Sequence, residues 1–164
     1  VTQGLVVVSF ALSLASLLVI SPMLLTWASS MEAVLYFYTA GSLIAYMMED
    51  TRVTVDELYA AGATFTLLAW GFAYAFLACE TWLPGSFRGA DPATTWKFFD
   101  LLYASFNNLS STGSGDIVAV SAPARVLVML EQFTGIAYIA VVVSRLIGMT
   151  IIRHRDKDKF PPQI

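Results

Sequence analysis

The stretch Ser110-Ser111-Thr112-Gly113-Ser114-Gly115-Asp116 limits what this chain can fold into more than any other feature. It is polar and glycine-spaced, yet it lies between apolar sequences. An aromatic amphipathic segment, Trp96 to Leu109, runs into it, and a long apolar segment, Val126 to Ile152, follows it. Irregular polar backbone between membrane-compatible segments is costly in hydrocarbon unless protein buries it or it lines water. The stretch is therefore expected to line a water-filled path, with the remaining chain arranged as helices around it.

Composition supports a lipid setting. The chain is 57% hydrophobic and 13% charged, about half the roughly 25% charged residues of a soluble domain, and its mean hydropathy is +0.70. Leu5 to Leu25 is uncharged and reaches the roughly 20 residues that a bilayer helix needs. Pro22 sits near its end, and Trp27 is placed like an interfacial anchor. The run exceeds the roughly 7–15 apolar residues of a signal peptide, so it reads as a span. A second span is expected from Met31 to Met48, its Tyr and Phe residues serving ordinary packing. A third is expected from Leu58 to Cys79, where Gly62, Ala63, Gly71 and Ala75 would allow close helix approach.

Glu80 to Lys97 reads as a loop, with Pro84-Gly85, Gly89 and Asp91-Pro92. Asp91 is a candidate cap, with Pro92 in the first turn, for a helix over Thr94 to Leu109. Trp96, Phe99, Tyr103 and Phe106 recur there at helical spacing and form one apolar face. At roughly 20 Å this helix cannot cross a core of about 30 Å. It is expected to enter the membrane and stop partway, the glycine stretch carrying the chain back out. Val126 to Ile152 is long enough to cross with tilt.

Charge placement suggests an orientation. Arg153, Arg155, Lys157 and Lys159 follow the last span, and such residues favour the cytoplasmic side. Four crossings then place both termini inside and the re-entrant segment outside, in a plasma (inner) membrane protein. The Glu49–Glu57 loop would also be inside, although it is mostly acidic with only Arg52 opposing. Lys159 to Ile164, with Pro161-Pro162, reads as a frayed tail or the stub of a longer one. A formal net charge of -3 gives no reason to expect a nucleic-acid partner. The single cysteine, Cys79, excludes an intrachain disulfide, and the single histidine, His154, lies in the charged tail. A zinc or Ser-His-Asp enzyme would have to be built around that tail; no enzymatic activity is expected, and no cofactor beyond permeant ions.

Phe99-Asp100-Leu101-Leu102-Tyr103-Ala104-Ser105-Phe106, leading into the glycine stretch, resembles the pore helix and selectivity filter of the potassium-channel-like superfamily. Asp116-Ile117-Val118 and Ser121-Ala122-Pro123-Ala124-Arg125 resemble the linker of its small prokaryotic members. Leu130-Glu131 with Gly135, and Val143-Ser144-Arg145-Leu146-Ile147-Gly148, resemble their inner helix. The resemblance covers Leu58 to Gly148. It implies an all-α membrane protein of four transmembrane helices, with a re-entrant pore helix and filter loop between the last two, assembled as a homotetrameric pore. Residues 1–57 would then form two peripheral helices, 58–152 the pore domain and 153–164 a cytoplasmic basic tail.

The family's filter reads Thr-Val-Gly-Tyr-Gly-Asp, whereas this chain reads Ser111-Thr112-Gly113-Ser114-Gly115-Asp116. A dehydrated cation needs oxygen ligands, and rings of backbone carbonyls supply them. Inward-pointing carbonyls require alternating right- and left-handed backbone, which glycine adopts at little cost; Gly113 and Gly115 fit that demand. The expected ion ligands are Ser111, Thr112, Gly113, Ser114 and Gly115, with monovalent cations such as K+ or Na+ at Ser111, Thr112 and Gly113. One loop cannot encircle an ion, so the chain's expected partners are three further copies of itself and the bilayer. A bracing tyrosine is missing at Ser114, which implies weak discrimination between sodium and potassium. A potassium-selective variant filter is the alternative.

Around the filter, Asn107, Asn108, Ser110, Asp116 and Glu131 are candidate supports. Asn107 and Asn108 would supply bracing hydrogen bonds or end the pore helix. Glu131 lies inside the last span, where a lone carboxylate must find a partner or be protonated; it is expected to hold the loop from behind, with permeation or pH sensing as the other readings. Gly135 is a gate hinge as the resemblance implies, or a close-packing position. Ile136, Ile139 and Val143 are expected to share its face and line the cavity, and Arg145 to snorkel to the inner interface.

Other classes fit less well. Gly113-Ser114-Gly115-Asp116 also matches the Gly-x-Gly-Asp pattern of intramembrane aspartyl proteases, but that chemistry needs a second aspartate sharing a proton. Their Tyr-Asp pair is missing here, leaving only Asp50 and Asp100. A secondary transporter would show a second interrupted segment or a repeat, and neither is present. A non-conducting membrane subunit remains an alternative. The first two spans hold no arginine-rich segment, which argues against a voltage sensor.

Overall fold

A computed structural model describes residues 22–49, 55–89, 97–113 and 116–159. Four helices and two short strands follow in the order α1 (Pro22–Glu49), α2 (Val55–Trp82), β1 (Phe87–Gly89), α3 (Phe98–Leu109), β2 (Ile117–Ala119) and α4 (Ala122–Lys159). The expected first span falls mostly outside these residues. Its end does not: Pro22 opens α1, so Pro22 to Leu25 and Trp27 belong to the helix that carries the expected second span. Proline is favoured in a first turn, where its missing N–H is no loss. Trp27 lies within α1 rather than marking the end of an earlier helix.

α1 and α2 pack along most of their length. Tyr36 stacks on Tyr74 with ring centroids 5.5 Å apart, and Phe37 meets Phe72 edge-on at 4.8 Å. Gly71 lets the pair approach, since a Cβ there would lie 3.0 Å from the Phe37 ring. Gly62 and Ala63 are exposed, so the close-packing role expected of all four small residues holds at Gly71 and not at those two. Thr26 Oγ1 donates to Thr81 Oγ1 at 2.9 Å near the ends of the pair.

α3 is 12 residues long and ends at Leu109 as expected, but it begins at Phe98. The Asp91–Pro92 cap lies outside the described residues. The observed start is held by Asp100, whose carboxylate accepts from the Lys97 backbone N–H at 2.9 Å. Its buried face is Leu101, Ala104, Ser105 and Leu109. The expected aromatic stripe is elsewhere: Phe99 and Tyr103 are exposed, Phe106 is half-buried, and Trp96 is not described. Small and aliphatic side chains fit the narrow space between α2 and α4, and the bulkier rings are left on the outer side.

Two cores organise the subunit. Ala40, Leu68, Ala69 and Phe72 surround the buried Leu109. Phe76, Cys79, Phe87, Leu101 and Ala124 form the second, under the strands. The strands are a departure from the expected loop. β1 pairs antiparallel with β2 in the register Phe87↔Ala119, Arg88↔Val118 and Gly89↔Ile117. Glu80, in the last turns of α2 and not in a loop, accepts from Gly85 N at 2.8 Å through Oε1 and from Phe87 N at 3.0 Å through Oε2. Ser121 Oγ donates to Ser86 Oγ at 2.9 Å, and Val120 N to Ser86 O at 2.8 Å. The result is a strap that joins the segment before α3 to the segment after the glycine stretch.

Candidate ion-path loop

The loop begins where α3 runs out. Ser110 Oγ caps backward by donating to Phe106 O at 2.7 Å and contacts Thr112 Oγ1 at 2.9 Å. The Asn107 carbonyl accepts from Thr112 N at 3.1 Å and Gly113 N at 3.3 Å, while Asn108 O accepts from Ser111 N at 3.0 Å. These bonds occupy the last helical carbonyls, which have no partners within the helix itself. The Asn107 side chain donates to Tyr103 O at 2.8 Å. Asn107 therefore both ends the helix and organises the loop.

Backbone conformation alternates here. Ser111 has φ 56° and Gly113 has φ 65°, on either side of Thr112, and both are left-handed. Glycine was the expected carrier of that conformation. Serine adopts it as well, at a cost of about 1 kcal/mol for an L-residue. The Ser111, Thr112 and Gly113 residues are exposed, and so is Asp116 before β2. Ser114 and Gly115 lie outside the described residues.

Behind the loop, three helices meet at one point. Glu131 on α4 is fully buried and hydrogen-bonds Ser105 on α3 through Oε1. Ser105 Oγ also bonds the Ala69 carbonyl of α2 at 2.7 Å. The Asn108 side chain neighbours the same carboxyl group, whose Oε2 has no hydrogen-bond partner. Ser105 thus links Glu131 of α4 to the α2 backbone. Ser105 belongs to the pore-helix run but has no role assigned from the sequence; the available signal is a polar residue one helical turn after Leu101 on the face opposite the exposed aromatics.

α4 reaches α3 through Gly135. A Cβ at Gly135 would lie 1.8 Å from the Leu109 carbonyl oxygen, so the backbone of α4 rests directly on the last turn of α3. The geometry at this glycine is that of close packing. Glu131, Gly135, Tyr138 and Val142 make the inward stripe of α4, and Tyr138 Oη donates to Ala61 O on α2 at 2.6 Å. Ile136 and Ile139 lie beside that stripe rather than on it, and both are exposed. The Val143 side chain is outside what the structure describes.

α2 over Leu58–Trp82 and α4 over Ala122–Val142 are long and apolar enough to cross a membrane. Only 11% of the α4 window is buried within the subunit, which a soluble core helix would not tolerate. α3 is too short to cross: at roughly 1.5 Å per residue it covers little more than half of a bilayer core. No curated protein and no solved structure matches the chain. A family model described as ion channel matches residues 33–151, from within α1 to within the last third of α4, and takes in α2, the strap, α3 and the loop. With well over half of its length so matched, and with two membrane-length helices flanking the short one, this chain is a membrane protein of the ion channel family.

Proposed function

We propose that four copies of the chain assemble around a shared axis and pass monovalent cations through rings of backbone carbonyls at Ser111, Thr112, Gly113, Ser114 and Gly115. The observation that carries this reading is the left-handed backbone at Ser111 and Gly113, on either side of Thr112, at the C-terminal end of α3. That alternation turns successive carbonyls toward one side, which a cation-binding ring needs. α3 supports it electrostatically: a helix C-terminus carries roughly half a negative elementary charge, aimed at the loop. The exposure of Ser111, Thr112 and Gly113 in a single subunit leaves their oxygens open to ions and to neighbouring copies.

In this reading residues 58–152 form the pore domain, and residues 1–57 lie at its periphery. Asp116 adds carboxylates near the outer mouth, and Asn107, Asn108 and Ser110 brace the loop. Ile136, Ile139 and Val143 line the cavity below. Both termini face the cytoplasm of a plasma membrane, following the basic run from Arg153 to Lys159. Ser114, standing where the family has a bracing tyrosine, leaves a filter that separates sodium from potassium poorly.

Bi-ionic reversal potentials of the purified protein in planar bilayers test this. Discrete unitary currents, with sodium and potassium nearly equally permeant and chloride excluded, are expected. A strong potassium preference would replace the weakly selective reading by a potassium-selective variant filter. Flux without unitary steps would point to a transporter, and no flux at all to a non-conducting subunit.

A further inference from the structure

Ser105 Oγ stands between two oxygens and has one proton to give. One neighbour is the Ala69 carbonyl at 2.7 Å, and the other is Glu131 Oε1, in hydrogen-bond contact. A serine hydroxyl is a single donor with two acceptor lone pairs, and a carbonyl oxygen donates nothing. If the serine proton went to Glu131, Ser105 Oγ and Ala69 O would face each other at hydrogen-bond distance with no proton between them. Only one assignment gives each contact its own proton. Glu131 Oε1–H donates to Ser105 Oγ, and Ser105 O–H donates to Ala69 O.

Two further observations fit a donor at Glu131. The side chain is 0% exposed within a membrane-length helix, and its Oε2 has no hydrogen-bond partner. An ionised carboxylate with a bare oxygen in such a place is far more costly than a neutral acid with an unpaired carbonyl. The side chains that act on it are Ser105, in direct hydrogen-bond contact, and Asn108, a hydrogen-bonding neighbour, both from α3; Ala69 of α2 is reached only through Ser105, and among the described residues no charged side chain acts on it.

We propose that Glu131 is held as a neutral carboxylic acid that donates the first hydrogen bond of a relay through Ser105 to Ala69, and so fixes α3, and the loop at its end, against α2 and α4. It acts as a positioning residue. Its consequence for conduction rests on the pore-loop reading above; its protonation does not. Infrared spectroscopy of the full chain in lipid at neutral pH tests it. A C=O stretch of a protonated carboxylic acid is expected in the wild type and lost in Glu131→Gln. The Gln variant, whose amide N–H can still donate to Ser105, is expected to keep the wild-type melting temperature and unitary current, whereas Glu131→Leu and Ser105→Ala lower the melting temperature. A wild-type spectrum without the protonated band would overturn the proposal, as would a Gln variant as damaged as the Leu variant. Failure of the channel reading itself would show in the recordings and leave the infrared band in place.

Discussion

Replacing Gly135 by alanine puts a methyl group into a space that does not exist. The added Cβ would lie 1.8 Å from the Leu109 carbonyl oxygen and 2.8 Å from its carbon. Ordinary van der Waals contact requires a separation about 1.5 Å larger, so α4 must move away from the end of α3 or α3 must shift with its loop. Overpacking of this kind costs about 1–3 kcal/mol. Intrinsic helix propensity acts in the opposite direction, because alanine is favoured over glycine by about 1 kcal/mol in a helix interior. The structure supplies the control: Gly62 lies in α2, with nothing within 4 Å of a Cβ built on it. Gly62→Ala is expected to hold or raise the melting temperature in detergent, and Gly135→Ala to lower it; the propensity gain is common to both, so the two differ by the overpacking cost of about 1–3 kcal/mol. Unitary conductance is expected to change in Gly135→Ala alone, since a shift of that size moves the loop. Equal stability and equal conductance in the two variants would refute the close-packing assignment.

Ser111→Gly removes the cost of left-handed serine and is expected to raise the melting temperature, by an amount equivalent to about 1 kcal/mol, while Ser111→Val lowers it. Glu80→Gln keeps one acceptor oxygen where two are used; it is expected to destabilise the strap by about 1 kcal/mol, read as faster hydrogen exchange at Gly85, Phe87 and Val118 with α2 unaffected. A double-mutant cycle with Thr26→Val and Thr81→Val is expected to return a coupling energy of about 0.6 kcal/mol, the usual size of a hydrogen bond between membrane helices.

How much of this was legible in the sequence varied with the range of the interaction. Features set by local pattern were readable. The apolar run from Leu58 placed α2 to within three residues at either end, and the shift from aromatic sequence to Ser110 marked the end of α3. Pro22 carried a readable signal that pointed the other way: a proline near an apolar boundary can close one helix or open the next, and it opens α1. Features set by contacts between distant segments were not readable. The strap pairs three residues with three others about 30 positions away, and runs that short have no periodicity to detect. Glu131 announced a need for a partner, but choosing Ser105 requires the packing of α3 between α2 and α4. Gly135 allowed a hinge or a close approach, and the contact it makes with Leu109 depends on the position of α3, which no local pattern at Gly135 encodes.

The most direct measurement is a density map of the purified protein in lipid, collected with a heavy monovalent cation such as thallium. The account expects four chains around one axis, with ion density on that axis coordinated by carbonyl oxygens of Thr112 and Gly113. A single subunit, or an assembly with Ser110 to Asp116 turned toward lipid and no axial density, would contradict it.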